Sequence, residues 1–163
     1  MNAPLLPALR AEGAADAPAV EALDDRAFGP GRFTKVSERV REFAQFRRDL
    51  SFCAWRGEEL VGTVRQWLVQ VGGQEVVFLG PLAVDEDERK HGLGARLVER
   101  ACQAAAEAGY SAVLLVGDAP YFQRLGFVQA PDVVMPGPVD QRRVLVRALT
   151  GREPGLAGSV RAV

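Results

Sequence analysis

The segment Val76-Val77-Phe78-Leu79-Gly80-Pro81-Leu82-Ala83-Val84, followed by Asp85-Glu86-Asp87-Glu88 and then Arg89-Lys90-His91-Gly92-Leu93-Gly94-Ala95, decides how this chain reads. Val76 to Leu79 is apolar at every position, as a central strand covered on both faces must be. Proline cannot donate to a sheet ladder, so Gly80-Pro81 inside such a strand predicts a bulge. A bulge there splays the strand from the next one, read at Ala112 to Val116. Between them opens a slot edged by unpaired N–H and C=O groups, where an extended amide-bearing arm docks as a pseudo-strand. The acidic residues 85–88 read as a surface turn. The glycine-rich stretch after them opens a helix, and the first N–H groups of a helix lack intrahelical partners and carry its positive pole. Gly92 and Gly94 let an anion approach the backbone, and Arg89 and Lys90 add positive charge. The ligand is not named by this turn alone. No Ser or Thr follows as the Walker loop requires, and Leu97 stands where the dinucleotide fingerprint needs its third glycine.

Outward from this unit, Gly92 to Ala108 is the clearest helix, with Leu93, Leu97, Ala101 and Ala105 on one stripe and Gly109 as its stop. Asp16-Ala17-Pro18 starts an earlier helix, on which Val20, Leu23, Ala27 and Phe28 keep helical spacing until Gly29-Pro30-Gly31. A second helix is predicted from about Thr34 to Arg48, with Val36, Val40, Phe43 and Phe46 on one side. Phe52 to Trp55 and Leu60 to Val71 read as a hairpin turned at Arg56-Gly57-Glu58-Glu59. Ala119 to Leu125 reads as a short helix, and Phe127-Val128 and Arg143 to Leu149 as further strands. The tail from Thr150 is expected to be loosely attached. No repeat or linker divides residues 1–163, which read as a single domain with a core of about 8–149.

Composition removes several classes. With 163 residues, 48% hydrophobic and 25% charged, the chain has material for one ordinary core. A net charge of −1 gives no general attraction to nucleic acid or to anionic membrane. No apolar run nears the roughly 20 residues that span a bilayer, and Met1 to Arg10 is too short and proline-broken for a signal peptide. Cys53 and Cys102 lack metal or disulfide spacing and read as core residues, so a reducing cytoplasm without a metal is expected. Trp55 and Trp67 also read as core or interface.

Phosphates at a helix start together with an amide arm in a strand slot describe coenzyme A better than a nucleotide. Here the sequence resembles the GCN5-related N-acetyltransferase superfamily. Arg89-x-x-Gly92-x-Gly94 matches its R/Q-x-x-G-x-G/A motif, with Leu82-Ala83-Val84 before it. Val116-Gly117-Asp118-Ala119-Pro120-Tyr121-Phe122-Gln123-Arg124-Leu125-Gly126-Phe127 looks like its closing Y-x-x-x-G-F region. The G-D-x-x-Y form, with Ala27-Phe28-Gly29-Pro30-Gly31 earlier, looks most like an uncharacterised bacterial subgroup of predicted acetyltransferases. The resemblance covers residues 8–149. It implies an α/β fold, a mixed and strongly twisted sheet of six or seven strands with helices on both faces and a splayed central pair. It also implies direct transfer from acetyl-CoA to an amine of a small molecule or peptide, and it leaves a homodimer open. The pyrophosphate would lie on the amides of Lys90, His91, Gly92, Leu93, Gly94 and Ala95, close to Arg89. Pantetheine would follow Leu82 and Val84, with Ala83 between them, and the Leu82 N–H would support the oxyanion. Acceptor walls would come from segment 28–36 and the 131–142 loop.

Two chemical roles are harder to assign. Family members often place a tyrosine four residues before the final glycine, to protonate the leaving thiolate. Here that position is Phe122, and the tyrosine is Tyr121. One residue turns a helical side chain by about 100°, so Tyr121 reaches the sulfur only if the short helix after Pro120 is shifted. A base must also relieve the ammonium of its proton. Glu75 and Asp118 are the candidates through water, and both also read as turn residues. His91 lies in the phosphate turn, where its backbone is what a ligand uses. Without the usual tyrosine, a non-catalytic acyl-CoA-binding or sensing domain is the alternative.

Overall fold

The long hairpin sets the architecture. In the computed structural model, which describes residues 6–152 and 154–163, Phe52–Arg56 (β3), Glu59–Val71 (β4) and Gln74–Val84 (β5) form the antiparallel centre. Ala112–Val116 (β6) lies parallel to β5, and Val144–Ala148 (β9) and Val128–Gln129 (β7) follow it antiparallel. Ala8–Ala11 (β1) closes the other side on β3. This gives a mixed path in the order β1-β3-β4-β5-β6-β9-β7, in line with the six or seven strands that the resemblance implies and including a first strand not read in the sequence.

Among the described residues, three further short strands bring the sheet to ten. Their cause is the length of β4. One edge of this 13-residue strand is taken by β5, but β3 covers the other only as far as Val64. Open edges leave N–H and C=O groups without partners. Gln45–Phe46 (β2) fills the gap at Leu68 and Trp67, and Gly158–Arg161 (β10) fills it at Val71 and Gln70. β10 also pairs in parallel with Val133–Val134 (β8).

Two expectations are corrected by this tiling. The second helix (α2) spans only Val36–Arg41, and Phe46 continues as strand, its ring 4.9 Å from that of Trp67. The C-terminal tail is not loosely attached: Leu156 and Val160 are buried, and β10 is part of the sheet. Of Met1 to Arg10, on which the leader expectation falls, Met1 to Leu5 lie outside the described residues.

Helices cover both faces. Leu93–Glu107 (α3) buries Leu93, Leu97, Val98, Ala101, Cys102, Ala104 and Ala105 against Val64, Val77, Leu79, Val113 and Leu115. On the opposite face Ala17–Phe28 (α1) sets Val20 and Leu23 against Cys53, Leu60 and Ala83, while α2 brings Val40 to Trp67, Val76 and Phe78. Cys53 and Cys102 are free and buried, and burial raises both thiols to about 12.

Candidate active site

The bulge lies where the sequence predicts it. Val64 pairs with Leu82 and Gln66 with Leu79, so Gly80 and Pro81 together oppose Arg65 alone. The extra residue shifts the pleat by one, so that Leu79 and Leu82 both face α3. The Trp67 indole N–H fastens the bulge by donating to the Gly80 carbonyl at 2.6 Å.

β5 and β6 therefore stay paired only at Val77–Val113 and Phe78–Leu114. Beyond them the edge of β5 that faces β6 is unpaired. Alternation along the strand says which groups line it. Asp85 N–H bonds to Val61 C=O at 2.8 Å on the β4 side, so Ala83 also turns to β4, and Leu82 and Val84 turn their backbone outward into the slot. The Val84 carbonyl is met there by Arg89 Nε at 3.2 Å. Ala83 turns its backbone to β4 yet still lines the cavity along this edge, while Leu82 and Val84 offer N–H and C=O to a docked arm.

A 3₁₀ turn, Glu86–His91, leads from β5 to α3. Gly92 is its hinge at φ 73° and ψ 16°, left-handed backbone that glycine takes without steric cost. The helix's first backward bond is Arg96 N–H to Gly92 C=O at 3.1 Å, which leaves the N–H groups of Leu93, Gly94 and Ala95 ahead of the ladder. Leu93 sends its side chain into the core, so it offers only its backbone. Lys90 and His91 are exposed and line neither cavity described below. The acidic turn is not all solvated either. Glu88 is buried and takes a fork from Arg56, at 2.6 and 3.0 Å, which ties the turn to the β3–β4 hairpin.

Two cavities meet at the splay. One, of about 530 Å³, runs from Leu82 and Val84 past Arg89 to Gly92, Gly94 and Ala95, with Ala27, Phe28 and Tyr121 as its far wall. The other, of about 450 Å³, lies beyond the bulge between Leu79–Leu82 and Leu115–Asp118. Its outer wall includes Lys35 and Val36 and also Pro138, Val139 and Asp140, from the two segments expected to build an acceptor site, with Ser37 just beyond the first. Leu82 and Phe28 belong to both cavities and mark the junction.

Ala119–Gln123 (α4) directs its two aromatic rings to different cavities. Asp118 caps this helix, its carboxylate accepting the Tyr121 N–H at 3.2 Å. The cap sets the phase in which the helix starts, and Tyr121 and Phe122 leave it toward different cavities. Phe122 faces the second cavity, packed edge-on against Phe127 at 5.7 Å. Tyr121 faces the first, and its hydroxyl lies over Gly94, where an added Cβ would sit 2.9 Å from it. Burial raises the phenol's pKa above its usual value, which keeps the hydroxyl a neutral donor.

Asp118 lines the second cavity, whereas Glu75 does not. Glu75 is exposed near the start of β5, five residues and roughly 17 Å of strand from Gly80. Among the described residues, no group of three or more His, Cys, Asp or Glu side chains is arranged to hold a metal ion.

A buried ion network holds α1, and with it Ala27 and Phe28, over the site. Arg65, the residue opposite the bulge, forks onto Glu12 at 3.0 and 3.1 Å and reaches Glu21 at 2.9 Å. Arg32 joins Glu21, Asp25 and Glu38, and Arg41 adds a bond to Glu21 at 3.1 Å. Burial alone would raise Glu21, but hydrogen bonds from Arg32, Arg41 and Arg65 outweigh it and bring its pKa to about 2. Asp24 is fully buried in the same network, and neither oxygen has a hydrogen-bond partner among the described residues. Desolvation overrides the attraction of Arg32 and Arg65 and lifts its pKa to about 7.

Comparison with known proteins bears on this geometry. The family model for the acetyltransferase (GNAT) family matches residues 18–127. The chain belongs to that family. An Escherichia coli K12 protein named "Uncharacterized N-acetyltransferase YhbS" is 34% identical over 121 residues, which cover 73% of this chain and 72% of the relative. The crystal structure of the E. coli GNAT family N-acetyltransferase (YhbS) in complex with CoA has a TM-score of 0.80 and 31% identity, covering 98% of this chain and 92% of that one. A GNAT family acetyltransferase from Brucella melitensis, solved with acetyl-CoA, shares the fold at a TM-score of 0.71 and 23% identity, over 94% of each chain. The GNAT match spans the bulge, the glycine turn and α4, the three features that make the two cavities.

Proposed function

We propose that this chain moves an acetyl group from acetyl-CoA directly to a primary amine, with both substrates bound at once. The observation that carries this reading is the unpaired edge of β5, which leads from the free amides of α3 to a second cavity. The pyrophosphate lies on the N–H groups of Leu93, Gly94 and Ala95 beside Arg89, and pantetheine bonds along Leu82 and Val84. The thioester then reaches the junction at Leu82 while the amine waits in the second cavity. Amine nitrogen attacks the carbonyl carbon, the oxyanion accepts the Leu82 N–H, and the C–S bond breaks. A free thiol has a pKa of about 8.5, so the thiolate leaves near neutral pH without a strong acid. Before attack, Asp118 takes through water the proton that frees the amine's lone pair, and the acylated nitrogen then releases its remaining excess proton to water. Unpaired thiols such as Cys53 and Cys102 persist in a reducing compartment, and the reading includes a cytoplasmic location. Among the described residues, no helix is long and apolar enough to cross a membrane.

The direct test is CoA release across polyamines, amino acids, aminoglycosides and peptide N-termini. CoA binding without release from any of them would favour the sensing reading, to which Phe122 in the usual tyrosine position gives support.

Two variants test the roles. Because the Tyr121 hydroxyl lies over the anion turn, Tyr121→Phe is expected to raise KM for acetyl-CoA roughly tenfold, the scale of one hydrogen bond to a charged group. Its kcat should stay within a few fold. A fall of about 10²-fold in kcat at unchanged KM would restore the acid role instead. Asp118→Asn keeps a good helix cap, so stability should hold while kcat at pH 7 falls by about 10²-fold. The deficit should shrink as pH rises and the amine deprotonates unaided. A parallel pH–rate profile in parent and variant would move the base elsewhere.

A further inference from the structure

The second cavity has an unmatched electrostatic balance. Four charged side chains line it: Lys35, Arg143, Asp118 and Asp140. Both carboxylates are engaged. Asp118 caps α4, and Asp140 takes a fork from Arg142, at 3.0 and 2.9 Å, together with the Arg142 backbone N–H at 3.1 Å. Neither cation is answered in this way. Arg143 spends Nε on the Gly117 carbonyl at 3.3 Å, and Lys35 rests its ammonium 4.4 Å above the Phe28 ring. Among the described residues, neither Lys35 nor Arg143 has a carboxylate within ion-pair distance.

The two cations also feel each other. Burial and the Arg143 charge both push the Lys35 ammonium below the usual lysine range. Arg143 acts on Asp140 only at a distance; like charges facing one cavity with no carboxylate in direct contact are costly to the free protein, and an anion placed between them lowers the cost. Their positions suit a substrate better than a scaffold. Lys35 precedes Ser37, whose Cβ would stand 3.4 Å from a Cβ at Gly80, so it sits above the bulged strand. Arg143 is anchored at the end of β6. The pair therefore flanks the mouth of the splay, on the acceptor side of Leu82.

We infer that the acceptor is an amine carrying an anionic group, carboxylate or phosphate, which Lys35 and Arg143 bind at the mouth of the second cavity. This rests on the acetyl-transfer reading above and narrows it to zwitterionic acceptors. The anion fixes one end of the molecule while the amine reaches the thioester at the junction. Polyamines and aminoglycosides, which bring only positive charge, are excluded as good acceptors.

The test uses product-side ligands, so it does not wait on the natural acceptor. N-acetyl ω-amino acids, their primary amides, and N-acetylaminoalkyl phosphates of matched chain length are titrated by calorimetry into the CoA-saturated protein. At one chain length or more, the acid or the phosphate should bind at least about tenfold tighter than the amide, and salt should weaken that preference. Which of the two anions wins separates a carboxylate from a phosphate acceptor. In Lys35→Gln/Arg143→Gln the preference should fall to about twofold or less, while CoA affinity is retained. Equal binding of acid and amide, a preference that survives in the double variant, or no ligand binding beside bound CoA would each overturn the inference. Failure to bind CoA at all would instead remove the acetyl-transfer reading, and this inference with it.

Discussion

Gly94→Val is expected to weaken acetyl-CoA binding by at least about a hundredfold, near 2.7 kcal/mol, in a protein that stays folded. Gly94 has ordinary helical backbone, so a side chain there brings no strain of its own. Its Cβ would come within 2.9 Å of the Tyr121 hydroxyl and 3.7 Å of Val84 Cγ2. Tyr121 is 39% exposed and can swing outward, which is why the fold should survive. The valine methyls would then stand over the N–H groups of Gly94 and Ala95, where the pyrophosphate must make contact. Gly92→Ala separates the two glycines. Nothing lies within 4 Å of a Cβ at Gly92, but its φ of 73° is strained for any L side chain. That variant should lose about 1 kcal/mol of stability and keep most of its affinity. Calorimetry and thermal melts on both variants read the contrast. Undiminished affinity in folded Gly94→Val would mean that the glycine turn holds no phosphate.

The features that build this site were legible where one residue type forces the geometry. Pro81 cannot donate a hydrogen bond, and that alone placed the bulge and the slot. Gly92 and Gly94 at a helix start marked the turn whose amides stand ahead of the helix ladder. Leu97, Ala101 and Ala105 fixed which side of α3 meets the sheet. The losses occurred where structure answers a distant partner. Gln45 and Phe46 form a strand because β4 outruns β3, and two residues carry no period from which a strand can be read. Val160 is held for the same reason a few residues farther along β4, at Val71. The phase of α4 depended on whether Asp118 capped it, a matter of one carboxylate's direction. Lys35 and Arg143 are 108 positions apart and meet only through the fold. Asp24 did leave a trace. Positions 20, 23, 24 and 27 share one helix face, so a carboxylate at 24 points inward by its spacing.

Replacing that carboxylate gives the second large effect, a pH-dependent gain in stability. In the folded chain Asp24 titrates at about 7 against an ordinary value of 3.8, so the native state binds the extra proton between those values. Where the native state holds more protons than the unfolded one, stability falls as pH rises. The Asp24 contribution is therefore intact near pH 4, is lost progressively up to about pH 7, and stays lost above it. Glu21 acts in the opposite sense: with its pKa lowered to about 2, it stabilises above the ordinary glutamate range and loses that contribution in acid. Wild-type stability should accordingly peak near pH 5 and decline toward pH 8. Asp24→Asn keeps the shape and removes the charge. At pH 8 it should gain about 2 kcal/mol, the pKa gap at about 1.4 kcal/mol per unit less the cost of an unpaired buried amide. At pH 4 that gain should vanish or reverse. Urea melts of both proteins across this range check it, and a difference that does not change with pH would show that Asp24 is not the titrating group. Because α1 carries Ala27 and Phe28 to the junction of the cavities, the same variant should also hold the acyl-CoA wall in place to higher pH.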